Sequence, residues 1–101
     1  MTSKQRAFLK SLASKADPVV HIGKEALTPE VTASIEEALV KRELVKVNVQ
    51  QNCMEDLQFL AQTAAERTRS ALVQVIGRKF VLYREGKDEN HRIILPAGTK
   101  H

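Results

Sequence analysis

The segment Val45-Lys46-Val47-Asn48-Val49-Gln50 alternates apolar and polar residues without a break, and that period of two constrains the fold more than any other feature of the chain. Successive side chains of a strand point to opposite faces. This strand therefore has a dry face of three valines and a wet face carrying Lys46, Asn48 and Gln50. A doubly wound dinucleotide-binding sheet is disfavoured, because its strands are covered on both sides and read as nearly continuous apolar runs.

The segments around it alternate in period. Thr2 with Gln5 three residues on fits a capping box, and Phe8, Leu9, Leu12, Ala13 and Ala16 recur at helical spacing. This predicts a first helix over 3–15 whose outer side carries Lys4, Arg6, Lys10 and Lys15. Asp17-Pro18 ends it, since proline disfavours helical geometry in the residue before it. Residues 19–22 form a short strand with Val20 and Ile22 on one face and Val19 and His21 on the other. Thr28-Pro29-Glu30 is a helix start by N-cap, first-turn proline and dipole-matched carboxylate. The second helix buries Val31, Ile35, Ala38 and Leu39 and places Glu36, Glu37 and Glu43 on its surface. Leu57, Leu60, Ala61, Ala64 and Thr68 mark a third helix ending near Arg67. Residues 72–76 and 80–83 read as a hairpin joined by Gly77-Arg78, a glycine-first pair suited to a type II′ turn, with Arg78 and Lys79 at the tip. A polar stretch over 85–91 and a frayed tail over 97–101 complete the expectation, with 93–95 as an optional short edge strand beyond the four strands.

The predicted class is α/β: a two-layer sandwich of a mixed four-stranded sheet with the helices on one face. At 101 residues the chain is expected to form one domain, over residues 1–96, with 97–101 as the tail. The lone Cys53 can neither staple the fold nor build a thiolate metal cage, so the core rests on packing. No run approaches the ~18 apolar residues of a membrane span, and the first ten residues reach charge before a signal-type apolar stretch forms. A cytoplasmic protein with no membrane partner is expected. No long apolar patch announces an interface, so a monomer is expected as well.

Charge is distributed unevenly. Residues 1–24 carry five Lys or Arg against Asp17, residues 25–66 carry three against eight acidic residues, and residues 67–101 carry eight against three. Basic ends around an acidic middle make a phosphate-attracting face if folding brings the ends together. They make an ordinary solvated surface if it does not.

Enzymatic chemistry has little support. His21, His91 and His101 are far apart and lack metal-ligand spacing, and Asp56, Glu66 and Ser70 form no nucleophile and base arrangement. Cys53 near a helix start has no basic neighbour in sequence and reads as a buried thiol. No catalytic residue, metal, cofactor or small-molecule substrate is expected. The most informative stretch is Ile22-Gly23-Lys24-Glu25-Ala26-Leu27-Thr28-Pro29, which joins a strand to a capped helix. Glycine lets a backbone approach phosphate, Lys24 supplies charge, and the helix start attracts anions; taken alone, the same residues equally suit an ordinary strand-to-helix connection with one solvated lysine.

Across residues 2–96, the segments TSKQRAFLKSLA, PVVHIGKEALTPEV, ALVKRELVKVNV and AERTRSALVQVIGRKFVLYR resemble the YhbY family of bacterial CRM-domain proteins. The resemblance implies a CRM/KH-like RNA-binding domain similar to the C-terminal domain of translation initiation factor three. It also implies rRNA and pre-large-subunit particles as partners and a role in ribosome biogenesis. The family's loop has a GxxG pattern like the backbone-clamping loop of KH domains. Gly23 and Lys24 match it, while Ala26 stands where the second glycine belongs. Alanine tolerates positive φ poorly and adds a methyl where RNA approaches. The expected RNA-binding residues are Lys4, Arg6, Lys10 and Lys15 of the first helix, Gly23 and Lys24 of the loop, and Arg78 and Lys79 of the hairpin. The alternative is a protein-binding adaptor using the acidic helices or the open sheet face. A small hydrolase using His21, Cys53 or Asp56 ranks last.

Overall fold

The computed structural model describes residues 2–85; the edge strand expected over 93–95 and the tail lie outside the described residues. The chain runs α1 (Ser3–Ser14), β1 (Val20–Ile22), α2 (Pro29–Arg42), β2 (Leu44–Val49), α3 (Leu57–Arg67), β3 (Ala71–Ile76) and β4 (Lys79–Tyr83). The sheet order is β1-β2-β4-β3, with β1 parallel to β2 and the other pairs antiparallel, so the sheet is mixed and four-stranded.

Each helix starts where a side chain can satisfy its free N–H groups. Thr2 and Gln5 form the reciprocal capping box, both bonds 3.1 Å, and Thr28 Oγ1 accepts from Val31 N at 3.1 Å. Asp56 Oδ2 accepts from Phe59 N at 2.9 Å, a cap that the sequence pattern had not singled out. Gly77 has φ +59 and Arg78 has none of the chain's positive φ values, which matches the type II′ turn.

The layering differs from the expected two layers. Val45, Val47 and Val49 join Phe80, Leu82, Val20 and Ile22 in a core under α2 and α3. Val81 and Tyr83 belong to a second core with Leu9 and Ala13 of α1, with Leu12 and Leu44 packed against it. Alternate residues of β4 thus feed opposite sides, and α1 lies on the opposite face from α2 and α3. The reason lies in Lys46. Its position on the polar face suggested solvent, yet its ammonium donates to the carbonyls of Ala13 at 3.1 Å and Ala16 at 3.2 Å. A lysine can cover apolar surface with its stem and cap a helix C-terminus with its head. The run Phe80-Val81-Leu82-Tyr83, buried throughout, was the sequence sign of a strand covered on both faces.

Two helix ends use non-glycine residues with positive φ. Glu43 (φ 64) caps α2 and is 2% exposed, so it is a buried residue and not the surface carboxylate its composition suggested. Arg69 (φ 56) closes α3 in a Schellman arrangement, with Ser70 N donating to Ala65 O at 2.9 Å and Arg69 N to Glu66 O at 3.3 Å.

Candidate nucleic-acid interface

The strand pairings bring the C-terminal ends of β1 and β2 beside the β3–β4 turn. Three connections therefore meet at one end of the sheet: 23–28, 50–56 and 77–78. Gly23 and Lys24 come from the first, Arg78 from the third, and Lys79 begins the strand after it. Residues 23–24 and 78–79, far apart in the chain, thus share one end of the sheet.

The Gly23 loop is a tight turn, closed by Ala26 N donating to Gly23 O at 3.0 Å, which leaves Lys24 and Glu25 exposed at its tip. Ala26 has φ +59. Its backbone takes the left-handed conformation that glycine adopts without penalty, at a cost of about 1–2 kcal/mol for an L-residue. Gly23 leaves room of a different kind. A Cβ there would lie 2.9 Å from Gln50 Oε1, so the amide of Gln50 fills the space that the missing side chain leaves.

Gln50 also ties the loop to the turn. Its N–H donates to Ile22 O at 2.8 Å, while its own carbonyl accepts from Arg78 Nη2 at 2.7 Å. Arg78 further donates to Val49 O at 3.2 Å and Cys53 O at 3.3 Å, and its carbonyl accepts from Val49 N at 2.7 Å. Arg78 thus organises the 50–53 segment as well as carrying charge. Cys53 is buried under it. Neither Gln50 nor its part in this arrangement carries a signal in the sequence, because a polar residue at a strand end is compatible with any loop.

The α1 residues separate. Arg6 Nη1 donates to Leu72 O at 2.6 Å and Val73 O at 3.0 Å, where β3 is irregular, and so part of its guanidinium holds α1 to the edge strand. Lys4, Lys10 and Lys15 are exposed. By helical geometry Lys10 shares the side of α1 that carries Arg6, while Lys4 and Lys15 point away from the sheet. Carboxylates are not absent from the loop end: Glu25, Glu55 and Asp56 lie in the same connections, with Asp56 engaged as the α3 cap.

At the opposite end, Arg84 Nη2 meets Glu36 Oε2 at 2.7 Å, and Arg84 Nη1 donates to Thr68 O at 2.7 Å. The Arg84 hydrogen bond holds the Glu36 carboxyl below its ordinary pKa of 4.5 against a smaller opposing effect of burial, with the Arg84 and Arg69 charges adding to the lowering. Among the described residues no three His, Cys, Asp or Glu side chains group so as to hold a metal, and no helix is long and apolar enough to cross a membrane.

A small mixed α/β domain whose strand-to-helix glycine loop and hairpin turn meet at one sheet end defines a class of domain. The chain belongs to the CRS1/YhbY (CRM) domain family, which it matches over residues 1–84. It is 45% identical over 96 residues to the probable RNA-binding protein YqeI of Bacillus subtilis, covering 95% of this chain and 99% of that one. It is 42% identical to an RNA-binding protein of Haemophilus influenzae, with 95% of each chain covered. The solution structure of protein SAV1595 from Staphylococcus aureus superposes with a TM-score of 0.80 at 45% identity, over 95% of this chain and 99% of that one.

Proposed function

We propose that this protein is a non-enzymatic RNA-binding domain that grips rRNA backbone with the Gly23–Lys24 loop and its flanking basic residues, and assists assembly of the large ribosomal subunit. The observation that carries the reading is the meeting of Gly23, Lys24, Arg78 and Lys79 at one end of the sheet. Names of the relatives support RNA as the ligand. The tight turn presents Lys24 beside a glycine backbone, the combination that a phosphate needs for charge and close approach. Lys4, Lys10 and Lys15 extend the positive surface along α1, and Arg6 adds its charge beside β3. The protein acts as a monomer in the cytoplasm on this reading, with residues 1–96 as its single domain.

The test is the affinity for labelled large-subunit rRNA fragments across a salt series, with Lys24→Ala alongside. Binding should weaken with salt, and the variant should lose about 0.7–0.9 from the slope of log affinity against log salt, the share of one phosphate. An unchanged slope removes Lys24 from the interface. Sedimentation of lysates checks the particle: the protein should travel with precursors of the large subunit, and migration only at the top of the gradient counts against assembly work.

Val40 on α2 and Phe59 on α3 are 65% and 61% exposed. These apolar side chains on α2 and α3 favour a protein partner as the second reading. It predicts that Val40→Ser with Phe59→Ser abolishes recovery of a specific partner while Lys24→Ala leaves it intact.

A further inference from the structure

The side of the sheet that carries α1 is only partly covered. Register places Leu44, Tyr83 and Ala71 in one cross-strand row, Lys46, Val81 and Gln74 in the next, and His21, Asn48, Lys79 and Ile76 in the last. Leu12 packs with Leu44 and Tyr83 at the first row, and Lys46 holds the α1 C-terminus at the second. Among the described residues the last row stays open: His21 is exposed, Asn48 and Lys79 are half-buried, and Ile76 is 56% exposed. It spans four strands, about 14 Å at a strand spacing of ~4.8 Å. The Gly23 loop and the Gly77–Arg78 turn border one side. On the other, Arg6 reaches Leu72 and Val73, and Lys10 lies one helical turn after it on the same side of α1.

We infer that this row is a seat for unpaired nucleotides, which deepens the RNA-binding reading above and rests on it. None of the four residues is acidic, and basic residues flank the row on both sides, so its charge complements a phosphodiester strand. His21 offers a flat ring and Ile76 an apolar surface for base stacking, Asn48 offers an amide to a base edge, and Lys79 offers charge. Single-stranded RNA is recognised by this combination of stacking and edge contacts, whereas duplex RNA hides its base faces. Asn48 Nδ2 lies 3.4 Å from His21 Nδ1. When the amide donates there, the ring proton sits on Nε2, which orients a donor away from Asn48. The Gly23 loop then fixes the backbone, while the row selects strands whose bases are free.

The experiment compares a short unstructured pyrimidine RNA with a duplex of equal length. His21→Ala with Ile76→Ser should weaken single-strand binding about tenfold, in the range of one lost base stack. The salt slope should stay unchanged, because no phosphate contact is removed, and duplex affinity should also stay unchanged. Lys24→Ala should instead lower the slope for both RNAs. Amide shifts of 15N-labelled wild-type protein on adding the single strand should include residues 21, 48, 76 and 79, a readout independent of whether the variant folds. Wild-type affinity in the double variant, equal losses on both RNAs, or shifts confined to the Gly23 loop would overturn the seat while leaving backbone gripping in place. Failure of the wild type to bind either RNA at low salt overturns both.

Discussion

Arg78 Nη2 donates to the backbone carbonyl of Gln50 at 2.7 Å, and the side chain of the same Gln50 occupies the space beside Gly23. A hairpin arginine is thereby linked, through one glutamine, to the loop that faces the proposed ligand. Charge-assisted hydrogen bonds stabilise more than neutral ones, and Arg78 makes them to three carbonyls of one segment.

Arg78→Ala should therefore lower stability by roughly 1–3 kcal/mol, read from urea unfolding. Arg78→Lys should recover little of it, since an ammonium lacks the planar fork that spans three carbonyls. An Arg78→Ala protein as stable as wild type would mean the three bonds contribute nothing net.

Ala26→Gly should stabilise the protein by about 0.5–1 kcal/mol. The change removes the left-handed penalty at φ +59 and returns part of it as unfolded-chain entropy. Thermal unfolding measures the gain. If the loop grips backbone, the smaller residue should also tighten rRNA binding; a loss of stability would show that the loop does not hold this conformation in solution.

Lys46→Met keeps the stem over the α1 side of the sheet but removes the donor to Ala13 and Ala16. The expected loss is about 1 kcal/mol, the scale of a cation at a helix C-terminus. Faster amide exchange should be concentrated in α1, with α2 and α3 unchanged.

The Glu36 carboxyl is held below its ordinary pKa of 4.5 chiefly by its hydrogen bond to Arg84. A group with a lowered folded pKa favours the native state fully above its unfolded pKa and loses that contribution as pH falls through the folded one. Glu36 is half exposed, so screening limits the pair to the 0.2–1 kcal/mol of surface ion pairs. Wild type should exceed Glu36→Gln in stability by that amount at neutral pH, and the two should converge as pH drops below 4.5. A gap that persists in acid would assign the effect to packing.

Much of the domain was legible in local pattern. The capping box at Thr2, the Thr28-Pro29 helix start, the Gly77-Arg78 turn and the alternation from Val45 to Val49 each follow from interactions within a few residues. Composition and period therefore determined the element order and the loop that bears Gly23 and Lys24. Four things needed the tertiary structure. Lys46 looked solvated until α1 docked on it, because a lysine head serves water and a helix terminus equally well. Glu43 looked exposed until the α2 cap buried it. The partnership of Gly23, Gln50 and Arg78 joins residues far apart in the chain, and the open row from His21 to Ile76 exists only through register across four strands. Short-range preferences are encoded residue by residue, whereas which face a helix covers and which side chains meet depend on long-range packing.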